Sequence, residues 1–312
     1  MTGTARVSGC LGHGSVGADP ATRNLPNDRR DSSCHGRSEV VHSESRHAHG
    51  KITPMPQEVR DSKTRFSDRV DDYLKYRLRY GREVVEALAD TCGLEPRHIL
   101  ADVGCGTGFS AEPFLQNGNR VVGIEPNREM REAGKSYLAS YSNFEMREGS
   151  AERTGLPDAS VDYVLAGQAF HWFAQEQARA EFARVLKPDG WCVLIWHDRS
   201  DNASPFLRAY EEFLQRHAVD YQRVVHRQVA NFDVLRAFFA PCEVKLISLP
   251  AQQRLDFDGL RGRLLSSSYM PREGAKAEAM LADLPQLFSP YQRDGHVVLQ
   301  YEMKIFYGHL TP

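Results

Sequence analysis

The chain is 312 residues long, 41% hydrophobic and 26% charged, the composition of a protein that folds in water around one large core or two modest ones. Its formal net charge of −2 gives no global attraction to a phosphate backbone, which argues against a nucleic-acid partner. No run of about 18 apolar residues is present to span a bilayer, and the N-terminus lacks the apolar stretch of a secretory signal, so a cytoplasmic location without membrane contact is expected. The six cysteines, Cys10, Cys34, Cys92, Cys105, Cys192 and Cys242, contain no Cys-x-x-Cys pair and are expected to be reduced and structural.

Residues 1–54 are rich in Gly, Ser, Arg, Asp and His and hold few aliphatic residues. Such a segment buries too little apolar area to offset ordering entropy, so a disordered tail is expected. Its five histidines, His13, His35, His42, His47 and His49, match no ligand spacing even with Cys34, and no metal is expected. Ordered-looking sequence begins at Met55, which makes Met55 a candidate translation start.

From Arg82 to Cys92, apolar residues recur at helical spacing, and Gly93 follows as a C-terminal stop. A regular alternation comes next: a strand at His98–Val103, a helix to Gln116 whose first turn must hold Pro113, a strand at Arg120–Glu125, and a helix over about Arg128–Ser140. Phe144–Arg147, Val161–Ala166 and Trp191–Trp196 read as further short strands, the last two separated by a helical segment ending "RVLKPDG". Strands alternating with helices in this way predict a doubly wound α/β fold with a mostly parallel sheet. Beyond Trp196 the rhythm changes to a helical insertion over about 204–240, the strand-like "EVKLISLP", and helical segments at Asp258–Ser268 and Gly274–Phe288. The terminal "HVVLQYEMKIFYG" alternates and is read as a closing antiparallel edge strand, the seventh of the sheet.

The stretch "HILADVGCGTGFS" places a buried-strand signature against Asp102 and then a glycine-rich loop, where an open α/β sheet binds its ligand. A dinucleotide site wants Gly-x-Gly-x-x-Gly, but here Phe109 stands where the third glycine belongs. A carboxylate at Asp102 would repel a pyrophosphate across a short gap, so a cationic ligand suits the position better. Glu125, ending the second strand, is placed to accept both hydroxyls of a ribose. Two acids, a glycine loop and no phosphate binder describe a nucleoside that carries an ammonium group, which is S-adenosylmethionine.

From about residue 64 to 307 the chain resembles the class I S-adenosylmethionine-dependent methyltransferases, particularly the small-molecule branch that includes trans-aconitate methyltransferase-like proteins. The resemblance rests on "ILADVGCGTG", "VVGIEPN", "GSAERTGLPDASVDYVLAGQAFHWF" and "RVLKPDGWCVLIW", in that order. It implies a single Rossmann-like domain over 55–312, with the loop of Gly104, Cys105, Gly106, Thr107 and Gly108 along the methionine and ribose of the cofactor. It also implies Asp102 under the amino group, Glu125 on the ribose, Ala151 and Glu152 at the adenine, and Gln168 near the methionine portion. Methyl transfer to a small organic acceptor, at a carboxylate, hydroxyl or carbon, is the expected activity. A macromolecule methyltransferase and a non-catalytic cofactor-binding domain are the alternatives. His171, just past the fourth strand, is the candidate base, since imidazole titrates near neutral pH. Tyr73, Tyr76, Arg77, Trp172, Ser268 and Tyr269 are the candidate wall of the acceptor pocket.

Overall fold

The computed structural model describes residues 69–200, 203–219, 221 and 232–311. The tail with its histidines, Met55 and most of the segment between the two helices of the insertion lie outside the described residues.

The strands, in chain order, are β1 (Ile99–Val103), β2 (Arg120–Ile124), β3 (Phe144–Arg147), β4 (Val161–Gly167), β5 (Leu186–Arg199), β6 (Lys245–Leu255) and β7 (Val297–Gly308). They form one seven-stranded sheet in the order β3-β2-β1-β4-β5-β7-β6. The first five are parallel and β7 runs antiparallel to both of its neighbours. Strand order reverses between β1 and β4, so the crevice beyond their carboxyl ends is where such a sheet binds ligands.

Both faces of the parallel part are covered. Successive side chains of a strand point to opposite faces. Leu100, Tyr163, Leu165, Val193 and Ile195 therefore meet α2 (Glu83–Cys92) through Val84, Val85 and Leu88. On the other face Ala101, Val103, Val164, Ala166 and Leu194 pack under Phe170, Phe182 and Phe238. Coverage on both sides is why these strands read as unbroken apolar runs. The helix α3 (Glu112–Gln116) carries Pro113 in its first turn, where its missing N–H goes unneeded. Gly93 ends α2 in the left-handed conformation at φ 66°.

The expected terminal edge strand is corrected by the sheet order: β7 lies between β5 and β6, and β6 is the edge. The last four residues of β7 are buried on both faces, whereas burial alternates along the strand before them. Pro250 sits in β6, where a missing N–H can face away from the ladder. A second departure lies in β5, which does not stop at Trp196 but continues through His197, Asp198 and Arg199, paired with β7 at Met303, Glu302 and Tyr301.

The remaining helices build a roof. The helices α6 (Pro205–His217), α8 (Phe257–Leu265) and α9 (Gly274–Phe288) share a third core around Phe206, Tyr210, Leu260, Met280 and Leu299. The helix α7 (Phe232–Phe239) instead joins the sheet core through Leu235 and Phe238. The N-terminal α1 (Val70–Tyr76) is strapped onto the end of α8 by two arginines. Arg69 donates to the carbonyls of Leu265, Ser267 and Met270 at 2.6–3.0 Å, and Arg77 donates to Ser266 Oγ at 3.1 Å and Ser266 O at 2.8 Å. Helix C-termini leave carbonyls in need of donors, and cations suit that end of the macrodipole.

Candidate functional site

At the end of β1, Asp102 is fully buried. Its Oδ2 accepts a hydrogen bond from Ser110 Oγ at 2.7 Å, while Oδ1 has no hydrogen-bond partner in the protein. Burial pushes its carboxyl up to about 7, and the nearby charge of Glu125 adds to the rise. A buried polar atom without a partner is costly. Thr107 Oγ1, also buried in the loop, has no partner either.

The loop turns through Gly104, Gly106 and Gly108, all at positive φ. At Gly104, φ is 67°, and a Cβ would lie 2.7 Å from the Cβ of Ala169. Only glycine meets both demands. Gly104→Ala is therefore expected to lose about 1–3 kcal/mol of stability from the strained backbone and the forced shift of the neighbouring loop. A thermal melt indistinguishable from the parent protein would contradict that expectation.

Glu125 holds the loop from the other side. Its Oε2 accepts from the Gly106 N–H at 2.8 Å and its Oε1 from the Asn127 N–H at 2.9 Å. Burial raises its pKa, and those two bonds together with Arg131 only partly oppose the rise. Cys105 is a buried thiol, 3.5 Å from Met146 Sδ, whose pKa burial pushes up, so it stays protonated and serves packing. All four described cysteines are free. Ala151 is buried beside this region, and the carboxylate of Glu152 accepts from the Ala174 N–H at 2.7 Å. That bond ties Glu152 to the short 3-10 turn Phe170–Trp172 and its exit. Gln168 closes β4 in a left-handed conformation at φ 56°, its amide donating to the His197 carbonyl at 3.3 Å.

A cavity of about 360 Å³ opens beside the loop, the size of small-molecule sites. Gly104, Cys105, Ser110 and Gln168 border it on the loop side, and Arg77, Arg199, Arg263, Tyr269, Tyr301 and Lys304 also line it. Its electrostatics are polarised. Tyr73 feels Arg77 and Arg263 as well as Glu125 and Asp102. Burial, then the charge of Arg263, pushes His197 down to about 4, which leaves its imidazole neutral at pH 7; the ring stacks on Tyr80 at 4.6 Å. Burial would raise the phenol of Tyr269, yet Arg263, Arg199 and Arg77 outweigh it and hold it below its ordinary value.

Of the expected pocket residues, Tyr73, Arg77 and Tyr269 line the cavity. Tyr76 does not: its ring lies against Gly262 of α8, at a point where a Cβ would come within 2.0 Å of it. Trp172 packs between two apolar clusters, tilted against His171 at 4.9 Å. His171 has both ring nitrogens buried in the 3-10 turn and lies outside the cavity wall. Ser268 is half-buried beyond the end of α8 and also outside the wall. The inward serines are its neighbours: Ser266 meets Arg77, and Ser267 Oγ accepts from Arg263 at 2.9 Å. Sequence reasoning missed His197, Arg199, Arg263, Tyr301 and Lys304. One signal was available: Arg263 interrupts the apolar face of "GLRGRLL", and a charged residue at a core position is informative. Among the described residues no cluster of three or more His, Cys, Asp or Glu side chains is placed to hold a metal ion, and no helix is long and apolar enough to cross a membrane.

Comparison with known proteins agrees with this architecture. A family model described as a methyltransferase domain matches residues 101–194. An uncharacterised methyltransferase-like protein of Schizosaccharomyces pombe is 27% identical over 257 residues, covering 81% of this chain and 97% of that protein. An uncharacterised methyltransferase of Mycobacterium bovis is 34% identical over 157 residues, which is 50% of this chain and 61% of its relative; the match thus spans about three fifths of that protein's length. Among solved structures, a protein assigned as a type II methyltransferase from Anaeromyxobacter dehalogenans superposes with a TM-score of 0.56 at 21% identity, covering 76% of this chain and 99% of the other.

Proposed function

Because the chain belongs to the class I S-adenosylmethionine-dependent methyltransferases, we propose that it binds S-adenosylmethionine along the Gly104–Gly108 loop and transfers its methyl group to a small organic acceptor in the adjoining cavity. The observation that carries the reading is the buried Asp102, whose unpartnered Oδ1 fits the ammonium of the methionine portion. Glu125 holds the loop in shape through Gly106 and keeps lone pairs for ribose hydroxyls. Ala151 and Glu152 border the adenine, and Gln168 the methionine portion.

When bound, S-adenosylmethionine supplies a methyl already activated on a sulfonium. The protein's task is then to align the acceptor and exclude water, a positioning effect worth about 7–11 kcal/mol. The strapped helix α1 serves that end, since Tyr73 and Arg77 bring it over the cavity. His197 lines the cavity as a neutral imidazole, but a group held near 4 is a weak base, which favours an acceptor atom that is already deprotonated. His171 is assigned a packing role beside Trp172.

The cavity volume of about 360 Å³, the size of small-molecule sites, favours a small acceptor over a macromolecule. Purified protein incubated with methyl-labelled S-adenosylmethionine and a metabolite extract is expected to release S-adenosylhomocysteine and to place the label in a product of low mass. Label confined to protein or RNA would support the macromolecular alternative. Binding without turnover in every fraction would support a non-catalytic domain.

A further inference from the structure

The cavity holds more positive charge than the carboxylates of the described residues neutralise. Two of its cations are paired: Arg199 with Glu211, and Lys304 with Asp198 at 2.7 Å. Arg263 and Arg77 differ. Arg263 is 7% exposed, and its Nη1 donates to Ser267 Oγ at 2.9 Å while Nε has no hydrogen-bond partner in the protein. Among the described residues Arg77 donates its hydrogen bonds to Ser266, and it stacks over Tyr73 with the guanidinium carbon 5.2 Å from the ring centroid. Neither guanidinium has a carboxylate within ion-pair distance among the described residues, and what surrounds Arg263 is phenolic: Tyr210, Tyr269 and Tyr301.

A buried charge left unpaired is strongly unfavourable, and two close together repel as well. Burial first, then the neighbouring Arg263, pushes Arg77 down to about 10, whereas burial of Arg263 is outweighed by the surrounding tyrosines, which hold it above its ordinary value. Folds keep such an arrangement where a ligand supplies the missing charge. With Nη1 already engaged, Arg263 offers the cavity one edge of its planar fork, a shape that two coplanar oxygens match.

We propose that the methyl acceptor is an organic carboxylate, its two oxygens seated on Arg263 with Arg77 beside it. This rests on the methyltransferase reading above and adds the acceptor's chemical class. The carboxylate is the group by which the acceptor is recognised and oriented, and neutral analogues of the same shape are rejected because they leave both guanidiniums uncompensated.

The test is isothermal titration calorimetry on the full chain saturated with S-adenosylhomocysteine. The probes are benzoate, phenylacetate and succinate, each against its amide, with phenyl phosphate as a further arm. At least one acid is expected to bind and its amide to bind at least tenfold more weakly, since a charge-assisted pair is about twice as strong as a neutral one. Arg263→Gln is expected to weaken the acid about ten- to hundredfold while S-adenosylhomocysteine affinity changes less than twofold. Arg263→Lys, which keeps the charge but not the fork, is expected to fall between, and its cofactor binding verifies the fold. Acids that bind Arg263→Gln as well as the parent, amides that match their acids, binding of phenyl phosphate alone, or no acid binding at all would each overturn the proposal. Failure of S-adenosylhomocysteine to bind the parent chain would instead strike the methyltransferase reading, so the two failures are told apart.

Discussion

Asp102→Asn is expected to weaken S-adenosylmethionine binding and, at alkaline pH, to make the protein more stable. The carboxyl of Asp102 is held near 7 by burial and by Glu125, far above its ordinary 3.8. The sign follows from proton counting: between about pH 4 and 7 the folded chain keeps a proton that the unfolded chain has lost. Stability therefore falls as pH rises through that window and levels off above it. Asparagine removes this slope, so the variant is expected to match the parent near pH 4. At pH 8 it should exceed it by about 4 kcal/mol, a melting temperature about 8–16 °C higher.

Cofactor affinity moves the other way. In the parent it is expected to strengthen from about pH 6 to 8 as Asp102 ionises to meet the ammonium group. In the variant it should be flat with pH and weaker by about 3 kcal/mol, a hundredfold or more. Calorimetry at three pH values on both proteins decides the matter. A pH dependence that survives in Asp102→Asn would move the role to another group.

Glu125→Gln has the opposite effect on stability although it too removes one buried negative charge. Both oxygens of Glu125 accept backbone N–H donors, from Gly106 and Asn127. Glutamine keeps one acceptor and turns an NH2 toward the other donor, so one buried N–H faces a second donor. Relief of the burial that raises the Glu125 pKa is smaller than the loss of a charge-assisted bond plus an orphaned donor. A destabilisation of about 2–4 kcal/mol is expected at pH 7, with cofactor affinity reduced on the order of a hundredfold as the loop and the ribose acceptor are lost together. Thermal melts and titration of the same samples check both numbers. Parent-like stability would show that Glu125 does not organise the loop. The pair of variants separates two kinds of buried acid: Asp102 is held ready for a ligand at a cost to the fold, and Glu125 supports the fold itself.

The parallel half of the molecule was readable because local pattern and global environment agree there. Ile99–Val103, Arg120–Ile124 and Phe144–Arg147 fall within a residue of the expected strands, since each is a short apolar run between turns. The strand–glycine–helix order around Asp102 is likewise a local signal, visible without any partner strand. The cavity was not readable for the opposite reason. His197 and Arg199 lie past the last apolar residue of β5, so the strand seemed finished at Trp196. Only pairing with β7, Arg199 opposite Tyr301 and Asp198 opposite Glu302, shows that the strand goes on. His171 drew attention because it follows β4 directly. Its three-residue turn instead rolls the ring inward against Trp172. The edge position expected for β7 failed on the same non-local fact, since alternation along one strand does not reveal how many neighbours it has.

The insertion of β7 between β5 and β6 also orders events in time. The glycine loop and the acids beside it, Asp102 to Gln168, belong to strands that pair parallel among themselves at sequence separations up to that of Asp102 and Leu165, shorter than the one that brings in β7. Tyr301 and Lys304 reach the cavity only when β7 is paired between β5 and β6, closing a loop of just over one hundred residues back to Arg199. Contacts so distant in sequence form late, because loop-closure entropy precedes any reward. A nascent or refolding chain is therefore expected to complete the crevice beyond β1 and β4 before the cavity wall formed by Tyr301 and Lys304.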